Sequence, residues 1–571
     1  MRPVPQSRHL LAVLFFAGVS AVTGYLASVE DRLTPTQVSI AAAAVKRQDP
    51  ATFRHDPIFG NPKRKLWLFH TPAFQSLMEL ALVPTGYQNL RLPFRAMAGV
   101  MTMVFLCGMY ALLYAQCRSW SVAAFVAVLS SRVIETLGDG VWGVGSLGSI
   151  TPAGLCLAVF PLVVLAFGRY SEPRPEDPFS RHWRLFLVFG VVGLLGNLHL
   201  VTAMNMTLVL LIAYVVRQRF SPRCLPIAIG CGLCALVAAS PFIGYYFGVR
   251  ATMSQGEPDT SLRAIHEAIE AVRLTVLYPG LLKRFLHGRM LAGALLLVVL
   301  PVVVLGRVER YRTRHVRMWV ALLAASLFVS LVLHGVSQLV GCAMNAAPPV
   351  IDFPEAASLA LLPLYVLLAQ AITNVFRLLR MHRKLLRWAC TALVALWMIP
   401  SDNLRVARHG AADLATAFMD EEDKPAYVLR HAEKRAERRE LAAIGHWAAA
   451  RDRSIYLTSE GEFRVLARRP ILAAPEDARY LYYLTPGRLE GWLGLYRQQQ
   501  KVLFPAAGRA DARAIQQFVA DQIERSEEKE ALAQWEWYVI LEAGRAPEQP
   551  DPLQPIDSEA WGEHYRLYRV R

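Results

Sequence analysis

The region after Ser401 has no cysteine. All eight cysteines fall within residues 107–390, in or beside apolar segments, so no disulfide framework holds the region after Ser401. Cys231 and Cys234 form a C-x-x-C inside an apolar run, but no further ligands stand near it, and the pair reads as small buried residues one helical turn apart. The chain has no P-loop, no G-x-S-x-G, no H-E-x-x-H, and no G-x-G-x-x-G in a strand-to-helix context. Those absences remove the support for ATP-driven transport and common soluble hydrolase chemistry. Internal repeats and low-complexity segments are also missing. Acids are scarce, with 45 Asp and Glu against 61 Lys and Arg.

Apolar length is abundant. Hydrophobic residues make up 54% of 571, the mean hydropathy is +0.30, and several stretches of about 20 residues carry almost no charge. This predicts an α-helical polytopic membrane protein of about 11 spans. They are placed near 10–29, 96–116, 121–138, 151–168, 185–197, 200–216, 224–248, 289–306, 318–340, 356–376 and 386–400. Residues 10–29 are read as an uncleaved first span, because Ala27-Ser28-Val29 is a poor cleavage site.

The run from Arg184 to Arg217 fixes the topology. It is too long for one comfortable span and short for two, it is basic at both ends, and Gly196-Asn197-Leu198-His199 breaks it in the middle. Basic flanks favour the cytoplasm, so the run reads as a hairpin of two short helices turning at the far side. The candidate cytoplasmic loops then hold 20 of the 61 bases and only 4 of the 45 acids, a difference that accounts for the whole net charge of +16. The basic excess is therefore a topology signal with a role at anionic lipid headgroups, and it leaves no nucleic-acid footprint. The N-terminus is expected inside a bacterial inner membrane, and the C-terminal region outside.

Residues 1–401 form the expected membrane domain, with outer loops 30–95 and 249–288, and residues 402–571 form a soluble α/β domain. In the first loop, Thr34-Pro35 and Thr71-Pro72 each pair an N-cap with proline at the first helical position, predicting helices over 35–47 and 72–83. The second loop carries Leu262, Ile265, Ile269, Val272 and Val276 at helical spacing, predicting an interfacial amphipathic helix. The tail predicts helices over 424–450, 486–500 and 510–524, and strands at 455–458, 463–472, 537–542 and 565–570.

Candidate chemistry collects on the outer side. Glu30 and Asp31 follow the first span, Asp49 and Asp56 lie on the same loop, and Asp352 and Glu355 precede the tenth span. A carboxylate there serves as a general base or holds a divalent metal near a lipid phosphate; equally, such charges mark where a span stops. His199 and Asn197 either meet a phosphate or hydrogen-bond the exposed backbone of the hairpin. Arg132 and Glu135, three apart in the third span, read as a mutual pair. Arg250 and Arg263 are outer basic residues suited to lipid phosphates.

In this order of parts the chain resembles the GT-C type membrane glycosyltransferases, the bacterial relatives of protein mannosyltransferases and arabinosyltransferases. One span leads to a long outer loop that begins with Glu30 and Asp31 and runs on through Gln37–Lys46 to Gln48-Asp49-Pro50. Leu194-Leu195-Gly196-Asn197-Leu198-His199 is similar to the hairpin of many members, and the amphipathic segment and outer α/β domain complete the layout. The resemblance implies a transferase taking a sugar from a polyprenyl-phosphate carrier to an extracytoplasmic glycan or protein acceptor. It implies Asp31 as the first-loop acid, with Glu30 beside it and a divalent cation as the possible cofactor. Members usually carry an Asp-Glu or Asp-Asp pair at the start of the first surface helix. Here that place reads Thr34-Pro35-Thr36-Gln37, so Asp31 or Asp56 substitutes, or the fold serves as a non-catalytic binder of lipid-linked glycan. A transporter is the third reading.

Overall fold

Apolar runs bounded by Pro, Ser, Thr and Arg become helices, and these build most of the molecule. A computed structural model describes residues 6–29, 33–60, 72–87, 89–136, 141–144, 150–172, 177–253, 267, 314–344, 352–378, 412, 415–506, 508–526 and 528–571. Seven of the described helices are long and apolar enough to cross a bilayer, and Trp120–Ser130 and Trp183–Gly196 are shorter apolar helices. These nine coincide with nine of the expected spans. The expected spans 289–306 and 386–400, and nearly all of the expected amphipathic helix, lie outside the described residues.

The membrane helices are α1 (Gln6–Val29), α4 (Leu92–Cys117), α5 (Trp120–Ser130), α6 (Pro152–Tyr170), α7 (Trp183–Gly196), α8 (Leu200–Arg217), α9 (Cys224–Met253), α10 (Arg314–Leu327), α11 (His334–Ala343) and α13 (Leu361–Leu378). A π-helical segment, Phe328–Leu333, joins α10 to α11, and the single turn α12 (Ala356–Leu359) leads into α13. In lipid, helices associate through small residues that let their backbones approach. At Gly193 of α7 an added Cβ would lie 2.2 Å from the Ala235 carbonyl of α9. Where α1 crosses α4, a Cβ on Gly99 would stand 3.2 Å from the Ser20 carbonyl.

The third span is shorter than expected. Ser130 and Ser131 turn their hydroxyls back onto the carbonyls of Ala127 and Val128, both at 2.7 Å, and α5 stops. The chain then doubles back through strands β1 (Ile134–Glu135) and β2 (Val141–Trp142), so Arg132 and Glu135 follow the helix and do not lie within a span. Trp142 is fully buried and donates its indole N–H to the Ser130 carbonyl at 2.8 Å. Gly143, at φ +95°, is required here: a Cβ would lie 2.2 Å from the Arg132 carbonyl.

The two first-loop helices form as expected. α2 (Pro35–Gln48) opens on a capping box in which Thr34 and Gln37 satisfy each other's main-chain N–H groups. α3 (Pro72–Leu82) is tied to α2 by Arg47–Glu79 at 3.1 Å.

The tail is an α/β domain with a four-stranded sheet of order β3-β4-β6-β5. β3 (Ser454–Leu457) runs parallel to β4 (Glu536–Glu542), and β6 (Tyr565–Val570) is antiparallel to both β4 and β5 (Gln554–Ile556). Side-chain alternation splits two cores across it. Ile455, Leu457, Val539 and Leu541 pack with Ile515, Phe518 and Val519 of a helix at Ala512–Arg525. Tyr456, Tyr538 and Ile540 pack with Leu441, Ile444 and Ala448 of the long helix Ala426–Ala449. The expected strand 463–472 is instead a one-and-a-half-turn helix, Phe463–Ala467, followed by a single parallel bridge from Ile471 to Tyr456. Phe463, Val465 and Ala467 have the period of a strand, but Arg464 between them is also buried, and short apolar runs do not distinguish the two.

The tail docks on the first loop, so both lie on one side of the helical body. Glu462 accepts from the Leu33 N–H at 3.3 Å and pairs with Arg91 at 3.2 Å, while Arg468 donates to the Tyr87 carbonyl at 2.6 Å. A further ion pair joins Arg497 to Glu267 of the second loop at 3.5 Å. The turn between α7 and α8, the paired strands β1 and β2, and the 352–355 segment lie on this same side. Arg217 marks the opposite side, donating to the Gly168 carbonyl at 3.1 Å and to Ser171.

Candidate functional site

The hairpin turn is built around a proline. Pro241 inside α9 lacks the N–H that would bond the Val237 carbonyl, and Ser240 supplies its hydroxyl there at 2.8 Å. Asn197 completes the repair from the neighbouring hairpin. Its Nδ2 donates to the Ala238 carbonyl at 2.9 Å, and its Oδ1 accepts from the Phe242 N–H at 3.2 Å. The Asn197 amide is thus engaged in stapling α7 to α9, which is the backbone-bonding reading rather than the phosphate one.

His199 is the N-cap of α8. Its Nδ1 accepts from the Thr202 N–H at 3.3 Å and lies 2.7 Å from Thr202 Oγ1. Thr202 Oγ1 in turn lies 3.2 Å from Glu355 Oε2. One turn further along α8, Asn205 donates to the Asp352 carbonyl at 2.9 Å. Its Oδ1 is buried with no partner among the described residues. The π segment Phe328–Leu333 packs against the 353–355 turn beside this cluster. Such segments recur at functional sites because they widen a helix locally. Cys156 borders the cluster, lying 3.6 Å from the Leu195 carbonyl. From the tail, burial pushes Tyr482 up to about 12, and the nearby charge of Asp352 adds to the shift.

α7 has 14 residues and so spans about 21 Å. A bilayer core is roughly 30 Å thick, so the turn and the polar groups beside it sit within or at the edge of the apolar layer. Polar groups at that depth in an otherwise apolar bundle are the strongest candidate for chemistry that the described residues offer.

The loop acids separate. Asp56 is fully buried in an ion-paired triad with Arg464 and Asp477, at 2.8 Å to each carboxylate, and all three side chains are at most 3% exposed. Its Oδ1 also accepts from the N–H groups of Ile58 and Phe59, and its Oδ2 from that of Ile471. Burial works against the Arg464 charge, but the two carboxylates more than offset it and hold the guanidinium ionised. Asp56 therefore joins the first loop to the tail and is not placed to act as a base. Asp49 forms a local turn, bonding Thr52 Oγ1 at 2.8 Å and the Ala51 N–H at 3.0 Å, and these bonds hold its carboxyl below the usual range. Glu30, Asp31 and Arg263 lie outside the described residues, and Arg250 falls in the last turn of α9.

One cluster of described residues has the makings of a metal site: Glu440, Glu563 and His564, in the tail. It fits a cation poorly, because the Glu440 carboxylate already accepts from the N–H groups of Gly562, His564 and Tyr565. Among the described residues, no three acidic, histidine or cysteine ligands converge beside Glu355.

No protein-family model matches the chain, and no curated protein does. Solved structures are similar to it over most of its length. The apo state of ArnT from Cupriavidus metallidurans has 12% identity and a TM-score of 0.45, with 98% of each chain covered. The same protein bound to undecaprenyl phosphate has 10% identity and a TM-score of 0.38 over the same coverage. The Archaeoglobus fulgidus oligosaccharyltransferase in complex with Zn and sulfate has 10% identity and a TM-score of 0.47, covering 93% of this chain and 68% of that one.

Proposed function

We propose that the protein is an integral membrane glycosyltransferase. It takes a sugar from a polyprenyl-phosphate carrier and passes it to an acceptor on the outer side of a bacterial inner membrane. The observation that carries this reading is the polar cluster of Glu355, Thr202, His199 and Asn205, set at bilayer depth beneath the docked first loop and tail. A lipid-linked phosphate sits at that depth, with its chain in the apolar layer and its head at the edge. His199 is the phosphate contact in this reading, with Arg250 and Arg263 as outer basic residues near the headgroups. Asp31, with Glu30 beside it, is the base that activates the acceptor. A divalent cation would draw on Glu30 and Asp31, since the described residues near Asp352 do not supply a ligand set.

A second reading has one observation in its favour. The first surface helix opens on a Thr34–Gln37 capping box instead of an acidic pair, and Asp56 is bound up in the triad. On this reading the same architecture binds lipid-linked glycan without transferring it.

Variants separate the two. Under the transferase reading, Asp31→Asn and Glu355→Gln each slow transfer from a polyprenyl-phosphate-linked sugar by about 10²- to 10⁴-fold, the range for losing an acid or base. The check is the turnover of lipid-linked sugar in vesicles bearing the full chain. No turnover by the wild type, with the lipid-linked sugar still bound, would leave only the binding reading, and full turnover in both variants would take Asp31 and Glu355 out of the chemistry.

A further inference from the structure

The turn that carries Asp56 makes a second contact with the tail. His55 Nδ1 lies 2.7 Å from Glu528 Oε2, and the ring meets Trp535 edge-on, 4.7 Å between centroids. The imidazole is only 6% exposed, whereas the Glu528 side chain is 65% exposed. An exposed glutamate is a carboxylate at neutral pH and has no hydrogen to give, so Nδ1 carries it. The neutral ring keeps its lone pair on Nε2, which is buried with no partner among the described residues. A second proton would have to sit there, on a cation inside the contact and without an acceptor, which is costly. The backbone of the turn is strained as well. Phe53 and His55 stand at φ +64° and +66°, the left-handed region that favours glycine. Lys46 Nζ ties the near end of the turn, donating to the carbonyls of Pro50 at 2.6 Å and Thr52 at 2.7 Å. At the far end, the contacts with the tail hold the strained conformation.

We propose that His55 is a proton-operated latch between the first loop and the tail: the neutral ring holds the 50–56 turn against the 528–535 segment, and a second proton releases it. Burial pushes the titration of the ring below its ordinary 6.5; the Glu528 carboxylate opposes the fall and the Arg54 guanidinium adds to it. The other charged groups of the two segments have their own places. Asp56 is paired with Arg464, Lys46 with main-chain carbonyls, and Asp49 with Thr52, while Lys529 and Glu530 follow Glu528 on the tail. The sign follows from linkage. Above pH 6.5 the ring is neutral whether docked or released, and the contact has its full strength. As the pH falls through 6.5, the released ring takes up a proton that the docked ring refuses, and the contact weakens until the docked ring titrates too. The cover over the polar cluster thereby responds to the pH of the compartment that the tail faces. The latch does not depend on whether the protein transfers sugar.

Amide exchange of the full chain in vesicles, corrected for intrinsic rates and followed from about pH 7.5 to about pH 5, tests this without any substrate. In the wild type, exchange over 52–60 and 529–537 should be level above pH 6.5 and accelerate below it, by at most about tenfold per pH unit, the limit for release linked to one proton. His55→Asn should abolish the acceleration. Asparagine suits the left-handed backbone and still offers an N–H to Glu528, so this variant keeps the turn docked and removes the titration. Glu528→Gln removes the carboxylate that eases protonation of the docked ring, so its acceleration should continue to lower pH than in the wild type. If His55 only packs, His55→Asn changes the rates equally at every pH and leaves the acid acceleration in place, which overturns the latch. Level exchange in the wild type across the whole range overturns it as well.

Discussion

Asp56 and Glu355 show how far a residue's role depends on partners the sequence places far away. Both were legible as acids at the outer edge. Asp56 meets Arg464 from 408 positions along the chain, and Thr202 meets Glu355 from 153, so no local signal separates a pin from an acid. Arg464→Met should release the tail from the first loop. It leaves two carboxylates buried without their cation, a loss of roughly 3–5 kcal/mol. The check is thermal unfolding and limited proteolysis of the full chain, with cleavage expected to rise at both the 50–60 turn and the tail. Unchanged proteolysis would mean the triad does not hold the two together. Glu440 gives a prediction in pH. Burial raises its carboxyl, but the N–H groups of His564, Tyr565 and Gly562 outweigh that and hold it below its ordinary value of 4.5. A carboxyl lowered on folding contributes its full stability above its unfolded value and loses it as pH falls through the folded one. Amide exchange at 562–565, corrected for intrinsic rates, should therefore accelerate below pH 4.5, and Glu440→Gln should remove that acid dependence.

The elements that sequence fixes best are those with punctuation. Thr34-Pro35 and Pro72 start helices where expected, and the break at Gly196–His199 becomes the turn of a hairpin, Trp183–Gly196 and Leu200–Arg217. The failures are segments whose period is ambiguous or whose stop signal is a serine back-bond: Phe463–Ala467 formed a short helix, and the third span ended at Ser130. Asn197 was open between two roles because its partners belong to α9, where Pro241 creates the need for them. Helix contact through small residues was not visible from composition, yet it sets the hairpin's position. Gly193→Leu forces a side chain into the Ala235 carbonyl of α9, and overpacking of this kind costs about 1–3 kcal/mol. Because Asn197 sits one turn further along the same contact, this variant should also loosen the His199 turn. A cysteine at 198 would then label faster than in the parent, and an unchanged rate would argue that the two helices are held elsewhere.

At the scale of the whole molecule, the charge excess that resembles a nucleic-acid footprint is distributed as a membrane protein distributes it. Docking of the tail on the first loop gives the topology an internal check, since both must face one compartment. Single cysteines at Arg54 and Ser558 should label together from outside intact cells, while one at Arg219 should label only after permeabilisation; a tail labelled from the cytoplasm would invert the assignment. The helical body, the long first loop and the α/β tail were legible as parts, but the site between them was not, because it is assembled from the 197–205 and 352–355 segments and becomes visible only in three dimensions. The central claim is that this assembly transfers sugar from a lipid phosphate. The most direct measurement is turnover of polyprenyl-phosphate-linked sugars by the purified full chain in vesicles, comparing wild type with Glu355→Gln. The account predicts release of free polyprenyl phosphate by the wild type and a loss of about 10²-fold or more in the variant. Equal release by both proteins, or none by the wild type across the lipid-linked sugars of its own membrane, would contradict it.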